Sequence, residues 1–378
     1  MTDLTPNLDI EFDTIIAMQS PITIRLGARA RKRIAAEGVQ AADIAIVPAA
    51  AGGPKGLILH GIDCWLSGDF LPRAKRQRRF VGASIGAWRM ACSAFQDPVA
   101  AHKRLARLYA GQRYPDKVDA AYVSRTCRAL LDELLDGRAA EVTTHPEHHV
   151  SVLTVRGIGP LGQTHGARWR ELAGFLRAAL SNTVSRNRLA RSMERVIFHH
   201  HGDGSQWLRE DFDAFANQFV GLSEANLRDA LLASGSIPLV LEAVSNIAGA
   251  PDGAYWDGGL IDYHLHLPYQ RDPGLVLYPH FNDYIVPGWL DKSMPWRRAR
   301  ASAGNPALDN VILVSPSPDF VRQLPNAKLP DRKDFKHYGQ DHDRRTRDWT
   351  RAIGESERMA EAFARWCEKP DLKQAATF

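Results

Sequence analysis

The chain has 378 residues, of which 44% are hydrophobic and 24% are charged, and its formal net charge is +5. This composition excludes a disordered protein and is sufficient for one large hydrophobic core. No run approaches the roughly 18 apolar residues of a membrane-spanning helix, and the first residues do not resemble a signal peptide. The composition therefore predicts a globular protein in the cytoplasm, with peripheral membrane contact as an addition.

Cysteine spacing and the distribution of charge indicate the compartment and the kinds of binding partner. The four cysteines form no Cys-x-x-Cys pair, which favours buried thiols in a reducing compartment over a disulfide framework. Basic residues concentrate at positions 73–79 and 297–300, which are interpreted either as solvated loops or as contacts to anionic lipid headgroups. Nucleic-acid binding is not expected, because no recognised binding motif accompanies the charge.

The first predicted elements alternate between helix and strand. Residues 24–31 are predicted to open a helix, and residues 43–47 form a short apolar run that is typical of a buried strand. A glycine-containing loop over residues 48–56 follows, and residues 57–62 are predicted to be helical. A strand, a glycine loop and a helix in this order direct backbone N–H groups towards an anion. An ordinary turn between a strand and a helix is the alternative interpretation.

The donors of such a loop follow from its residue types. Pro54 has no N–H, so the predicted donors are Gly52, Gly53 and Lys55. These N–H groups would stabilise negative charge that develops on a substrate oxygen.

A serine between two glycines follows a second apolar strand. Ser84 has Gly82 two residues before it and Gly86 two residues after it, and residues 87–92 are predicted to be helical. This is the sequence form of a nucleophile elbow, in which a serine sits at a strained strand-to-helix turn that leaves almost no room for neighbouring side chains. The N-terminus of the following helix would favour a developing oxyanion.

The middle and the end of the chain continue the alternation. Strands are predicted at residues 150–155, 195–198, 274–278 and 310–314, the last of which closes the core, and helices at residues 127–135 and 169–180. Residues 341–368 are predicted to form one long charged helix, or two that are broken at Gly354. The aromatic segment 278–296 is interpreted either as a rim or lid of a pocket or as a buried loop.

A carboxylate followed by two glycines completes the motifs. Asp257 ends a short apolar stretch, and Gly258 and Gly259 let the backbone turn sharply beside it. An exposed aspartate has a pKa near 3.9 and is a poor base, so Asp257 must be desolvated to accept a proton from a serine. The preceding Tyr255 and Trp256 are candidates for supplying that dry environment.

Together these motifs resemble those of the patatin-like phospholipase family. The matching motifs are an oxyanion loop at residues 52–56, the G-x-S-x-G at residues 82–86 and the D-G-G at residues 257–259. The resemblance implies a catalytic dyad of Ser84 and Asp257. It also implies that Gly52, Gly53, Lys55 and Gly56 belong to the oxyanion hole.

The same resemblance implies an α/β fold, a three-layer α/β/α sandwich with a mostly parallel central sheet. The order of predicted strands and helices divides the chain into an N-terminal extension at residues 1–41, a catalytic domain at residues 42–320 and a C-terminal helical tail at residues 321–378. A lipid acyl hydrolase that needs neither a metal nor another cofactor is implied, with a lipid or ester as its substrate. One departure is Ala51, where the family often has a further glycine.

Two alternatives to the dyad enzyme stay open. The order serine, acid, histidine also fits a triad of the α/β-hydrolase type, with His264, His266 or His280 as the base. A catalytically idle scaffold that binds a lipid or a protein partner is the alternative from another functional class. The histidine-rich stretches at residues 145–149 and 199–201 lack a known metal-ligand spacing, so they are interpreted as polar strand ends.

Overall fold

A computed structural model describes residues 20–163, 168–202, 206–300 and 306–378 of the chain. The strands in these ranges are β1 (Ile22–Leu26), β2 (Ile44–Ala49), β3 (Arg78–Ala83), β4 (His148–Gly157), β5 (Met193–His199), β6 (Asn217–Gly221), β7 (Tyr255–Asp257), β8 (Leu275–Pro279), β9 (Val311–Pro316) and β10 (Ala375–Thr377). They form a single sheet in the order β10-β1-β9-β8-β2-β3-β4-β5-β6, and β7 pairs with β4.

The helices pack around this sheet. They are α1 (Ala28–Glu37), α2 (His60–Trp65), α3 (Ile85–Cys92), α4 (Pro98–Ala110), α5 (Ala120–Leu135), α6 (Ala139–Thr143), α7 (Arg168–Val184), α8 (Gln206–Arg209), α9 (Glu224–Ser234), α10 (Pro318–Gln323), α11 (Lys333–Tyr338) and α12 (His342–Glu368). A 3₁₀ helix, Gly53–Leu59, precedes α2.

The centre of the sheet is parallel and buried. From β9 through β8, β2 and β3 to β4, each strand runs parallel to its neighbour. Every residue of β2 and of β9 is buried, as expected for apolar strands that are covered on both faces. The structure therefore confirms the predicted α/β fold with three layers and a mostly parallel sheet.

Two predictions about the first and last core strands are wrong. Residues 24–26 do not open a helix but belong to β1, and α1 begins only at Ala28. Buried and half-buried residues alternate along β1, which is the period of a strand that packs on one face. The strand predicted at residues 310–314 is present as β9, but it does not close the core, because β1 and β10 extend the sheet beyond it.

Both ends of the described chain contribute to this sheet. β1, from the predicted N-terminal extension, lies antiparallel to β9, and β10, from the predicted tail, lies parallel to β1. Residues 1–19 of that extension lie outside the described residues. The tail helix α12 is continuous through Gly354 and packs against α2. The division into three parts stays a prediction, although the sheet connects all of them.

Part of the basic run at residues 73–79 is buried or ion-paired, so neither a solvated loop nor a headgroup contact describes the whole run. Arg78 is 1% exposed, and its guanidinium donates hydrogen bonds to the carbonyl oxygens of Ala41 and Ala74. Arg79 forms an ion pair with the carboxylate of Asp272. These arginines therefore tie loops together at the N-terminal ends of the parallel strands.

Candidate active site

Ser84 lies at the turn between β3 and α3, with backbone angles of φ 56° and ψ −133°. A positive φ is rare for a residue that carries a side chain, and it stores strain in the backbone. A Cβ atom at Gly82 would lie 2.5 Å from the nitrogen of Ala87, and one at Gly86 would lie 2.0 Å from the carbonyl oxygen of Ala49. The two glycines therefore stand where the turn leaves no room for a side chain.

The register of β4 brings this serine to a carboxylate. β3 and β7 lie end to end along the same edge of β4, where Ala83 pairs with Leu153 and Asp257 pairs with Thr154. β3 is parallel and β7 antiparallel to β4, so their C-terminal ends face each other. The hydroxyl of Ser84 donates a hydrogen bond to Oδ2 of Asp257 at 3.0 Å, across 173 positions of sequence.

The surroundings of Asp257 favour its protonated form. This residue is only 6% exposed, and burial raises the pKa of its carboxyl group. The charge of Arg332, the N–H of Gly259 and the hydroxyl of Ser84 each act in the opposite direction. The Gly259 N–H lies 2.7 Å from Oδ1 and fixes the orientation of the carboxylate.

The two aromatic residues before Asp257 anchor its strand. The Tyr255 hydroxyl donates to the carbonyl oxygen of Pro251, and the indole N–H of Trp256 donates to that of Leu161. Trp256 and Phe175 also form an edge-to-face contact, with ring centroids 5.3 Å apart. Because neighbouring strand residues point to opposite faces, Trp256 lies on the other face of β7 from the carboxylate. These rings hold β7 in place.

Ser234, at the end of α9, supports the nucleophile and was missed by the sequence reasoning. Its hydroxyl accepts a hydrogen bond from the Ser84 N–H at 2.8 Å and donates one to the Leu153 carbonyl at 2.6 Å. The backbone N–H of Ser84 is therefore already paired. The run of small residues before Pro238 was the signal that could have indicated a close approach here.

The glycine loop after β2 lies beside the elbow. β2 and β3 are adjacent, with Ala49 paired to Gly82, so the loop and Ser84 emerge at the same edge of the sheet. A Cβ atom at Gly56 would lie 3.1 Å from Cγ2 of Ile85, which shows how closely the loop packs on α3. This is the C-terminal edge of the parallel strands, where ligands of open α/β sheets bind.

Some backbone N–H groups of that loop are free to bind an oxyanion, and others are already hydrogen-bonded. Gly52 and Gly53 stand at the start of the 3₁₀ helix, where N–H groups have no acceptor inside the helix. The N–H of Ala51 donates to the Tyr263 carbonyl at 2.9 Å, so at the position that departs from the family pattern the backbone donor is already paired.

The turn after Asp257 packs against the same loop. A Cβ atom at Gly258 would lie 2.1 Å from the Leu153 carbonyl oxygen, and one at Gly259 would lie 2.7 Å from Cβ of Ala51. The three sequence motifs therefore meet at one place in the fold.

Two of the histidines that were candidates for a triad are not hydrogen-bonded to the dyad residues in the described part of the chain. His264 and His280 are fully buried, with ring centroids 4.2 Å apart, and their Nδ1 atoms are hydrogen-bonded to backbone groups. Burial lowers the pKa of His280 to about 3 and that of His264 well below its usual range. Neither ring forms a hydrogen bond with Ser84 or Asp257 among the described residues. The third candidate, His266, is half-buried.

A cavity of about 620 Å³ opens beside Ser84, between α3, α5 and the segment that leads into α12. Its apolar walls include Trp88, Tyr109, Val123, Ile237, Leu241 and Phe335. The aromatic segment at residues 278–296 does not form its rim. From that segment, Trp289 lines a smaller pocket on the side of Asp257.

Arg332 borders both cavities and was also missed by the sequence reasoning. A Cβ atom at Gly53 would lie 3.0 Å from its Nε atom, so the guanidinium covers the glycine loop. Arg332 lies in the predicted C-terminal tail, and a single arginine in a polar segment forms no motif.

The histidine-rich stretches form stacked pairs. His149 stacks on His200 at 4.1 Å between ring centroids, and His145 stacks on His148 at 4.4 Å. Within the ranges that the structure covers, no group of three or more metal-ligating side chains occurs.

The family assignment follows from sequence comparison as well as from this geometry. The fold and the strained serine turn define an α/β protein with the geometry of a nucleophile elbow. The model of the family named patatin-like phospholipase matches residues 52–264, which is more than half of the chain. The protein therefore belongs to this family of lipid acyl hydrolases. No curated protein matches the chain. In the described helices, none is long and apolar enough to span a membrane.

Proposed function

We propose that this protein hydrolyses carboxylic esters of lipids, with Ser84 as the nucleophile and Asp257 as the general base. The observation that carries the proposal is the direct hydrogen bond of 3.0 Å between the Ser84 hydroxyl and the Asp257 carboxylate. It occurs at a strained turn beside a largely apolar cavity. Membership of a lipid acyl hydrolase family supports the same reaction.

Acylation begins when the Ser84 oxygen attacks the ester carbonyl carbon and its proton moves to Oδ2 of Asp257. Negative charge develops on the former carbonyl oxygen. The N–H groups of Gly52 and Gly53 and the first turn of α3 are the donors for this oxyanion, because the Ser84 N–H is paired with Ser234. Removing one such donor typically costs about 3 kcal/mol of transition-state stabilisation.

The second half of the reaction releases both products. The bond between the carbonyl carbon and the alcohol oxygen breaks, and Asp257 returns the proton to the leaving alcohol. A water molecule then gives a proton to Asp257 and attacks the acyl carbon. Ser84 leaves with the proton held by Asp257, and the free acid departs.

The large cavity suits an acyl chain. Each methylene group of an acyl chain that these apolar walls remove from water contributes about 0.8 kcal/mol to the free energy of binding. Esters with longer acyl chains are therefore expected to react with a lower KM than short ones, until the chain exceeds the cavity. A storage polyester or a short soluble ester is the alternative substrate, and a panel of p-nitrophenyl esters and defined phospholipids separates these classes.

Labelling with a fluorophosphonate probe tests the chemistry. We expect the wild-type protein to be labelled, and the Ser84→Ala variant, checked by circular dichroism, to remain unlabelled. Folded wild-type protein that resists the probe would instead support an idle scaffold. The variants His264→Gln, His266→Gln and His280→Gln are expected to retain labelling. Abolished labelling in one folded histidine variant would indicate a triad.

A further inference from the structure

Three basic side chains from separate parts of the chain lie close together beside the candidate active site. The Lys292 ammonium lies 4.7 Å from the ring centroid of Tyr263, and the Lys55 ammonium lies 5.4 Å from that of Phe281. These two rings are themselves 6.4 Å apart, so both lysines belong to one cluster. Arg332 is the third member.

Arg332 connects this cluster to the reacting groups. It lines the smaller pocket together with Tyr263, Gly52 and Asp257. Its guanidinium lies against Gly53, at the start of the 3₁₀ helix. Arg332 therefore borders the pocket on the side of Asp257, and Lys292 contacts the same pocket wall through the ring of Tyr263.

Among the described residues, Lys55, Lys292 and Arg332 form no ion pair. The nearby Asp331 is paired with Lys328 at 2.9 Å. Burial, followed by the charges of Lys55 and Arg332, lowers the pKa of Lys292 to about 8. Like charges held together without a direct ion pair to a carboxylate repel each other, and a bound anion would relieve that repulsion.

We propose that Lys55, Lys292 and Arg332 form a subsite for the anionic group of the ester substrate, a phosphate or a carboxylate. The proposal rests on the proposed ester hydrolysis and names its substrate class. Arg332 offers a planar set of N–H donors that suits oxyanions, and the lysines add two point charges. Lys292 and Arg332 lie outside the part of the chain that matches the family.

Matched soluble lipids test this subsite. The ratio of kcat/KM for dihexanoyl phosphatidate to that for neutral dihexanoylglycerol is measured in the wild type, in Lys292→Gln and in Arg332→Gln. We expect each variant to lower this ratio by about tenfold, because a charge-assisted contact is lost. The control is Lys32→Gln, an exposed lysine on α1 at the opposite end of the sheet. A ratio that stays at the wild-type value in both test variants would overturn the subsite.

Binding separates this proposal from the hydrolysis itself. Intrinsic tryptophan fluorescence of Ser84→Ala is titrated with dihexanoyl phosphatidate and, separately, with inorganic phosphate. Saturable binding of the phosphatidate that weakens in Ser84→Ala/Lys292→Gln supports the subsite, even if the wild type hydrolyses no ester. Binding of inorganic phosphate without binding of the phosphatidate would contradict a role in holding substrate.

Helix α7 carries large apolar side chains on its exposed face. The side chains of Trp169, Leu172, Leu176, Leu180 and Val184 are 66%, 42%, 55%, 70% and 63% exposed. Spacings of three or four residues place all five on one face of the helix. A contiguous exposed face of large apolar side chains is unusual on a soluble protein and marks a contact surface.

The opposite face of α7 packs against the rest of the protein. Ala178 is buried, Phe175 contacts Trp256, and the side-chain amide of Asn182 donates to the Asp291 carboxylate at 2.9 Å. The exposed face is therefore not needed to hold the helix on the protein.

This face continues towards the cleft. The Arg297 guanidinium donates to the carbonyl oxygen of Asn182, which places the neighbouring Trp296, 76% exposed, near the end of α7. Asp291 accepts from both Asn182 and Arg297, and it ends the short helix that begins at Trp289. Trp289 is 40% exposed and lines the smaller pocket. The surface thus joins α7 to the edge of the candidate active site.

We infer that this face of α7, with Trp296 and Trp289, rests on an anionic lipid surface. Residues 168–191 contain six arginines and one glutamate. Arg186 is paired with Asp213 and Asp291, but the arginines at positions 177, 188 and 191 are exposed, so the segment offers charge that anionic headgroups attract. Tryptophan is favoured where headgroups meet acyl chains, and a helix with an apolar face lies in that plane. Such an orientation would place the cleft at the bilayer that contains its substrate.

Vesicle flotation tests this orientation. Wild-type protein is expected to bind vesicles of phosphatidylcholine and phosphatidylglycerol, and to bind pure phosphatidylcholine more weakly. The variant Leu176→Ser/Leu180→Ser is expected to bind the anionic vesicles at least about tenfold more weakly, since two anchoring side chains are lost. Tyr122→Ser, which changes an exposed aromatic residue on α5, is the control.

Other outcomes would overturn this inference. Vesicle binding that is equal in the wild type and the double leucine variant would exclude the α7 face. So would a dimer in sedimentation analysis that the same variant dissociates, because a second copy would then cover the face. Turnover of soluble p-nitrophenyl butyrate, measured in parallel, reports on the dyad independently of the membrane.

Discussion

The charge of Arg332 acts on Asp257 in the candidate active site: burial raises the pKa of that carboxyl group, and the guanidinium is the strongest influence that lowers it. A general base must be ionised, so activity is expected to fall as the pH drops through the pKa of Asp257. The Arg332→Gln variant removes the opposing charge and raises this pKa further. We therefore expect the acid limb of kcat/KM against pH to move to higher pH.

Lys336→Gln is the matched control for this shift. Lys336 lines the same large cavity, but it is not among the groups that perturb the pKa of Asp257. Its acid limb is expected to coincide with that of the wild type. An unchanged acid limb in Arg332→Gln would show that Asp257 is not the group whose ionisation controls the rate.

Replacing Asp257 by asparagine separates activity from stability. The Asp257→Asn variant is expected to lose about 10²- to 10⁴-fold in kcat, the usual contribution of a general base. Burial raises the folded-state pKa of this acid, so its ionised form costs stability at neutral pH. This cost decreases as the pH falls below the folded-state pKa and is absent below the unfolded-state pKa. The neutral amide should therefore leave the melting temperature unchanged or higher at pH 7. A variant that melts much earlier would refute this account.

The glycines of the elbow offer a test of local packing. A Cβ atom at Gly86 would collide with the Ala49 carbonyl oxygen, so Gly86→Ala is expected to lower the free energy of unfolding by about 1–3 kcal/mol. Gly354 lies within α12 with open space around its Cβ position. Gly354→Ala is expected to raise stability by about 0.4–1 kcal/mol. Urea unfolding of both variants checks the contrast, and equal effects would contradict it.

The parts of the site that could be predicted from sequence are those encoded within a few residues. The turn at Ser84 and the turn after Asp257 need glycines at fixed local positions, and those requirements are visible in the chain. The roles of Ser234 and Arg332 were not visible, because each depends on a contact with a residue that is distant in sequence. A serine or arginine has many ordinary uses on a protein surface, and only the folded backbone selects one.

The fold shows the same division. Long apolar strands such as β4 and β9 were predicted, since their burial on both faces produces an apolar run. β1 was not, because its five residues alternate and are followed by a helix rich in arginine. Its identity as a strand depends on β9 and β10, which lie about 290 and 350 residues further along the chain.

A buried ion pair beneath the elbow gives the last prediction. The Arg89 guanidinium on α3 donates two hydrogen bonds, of 2.6 and 2.7 Å, to the Asp63 carboxylate on α2, and both side chains are 3% exposed. Arg89→Met leaves that carboxylate buried without its partner, which is expected to cost about 3–5 kcal/mol in the free energy of unfolding. Arg89→Met/Asp63→Leu removes both charges and should recover most of this loss, because a well-packed apolar pair replaces a buried ion pair with little cost. Urea denaturation of the single and double variants measures both terms. A double variant no more stable than Arg89→Met would show that the pair matters for its shape rather than for its charge balance.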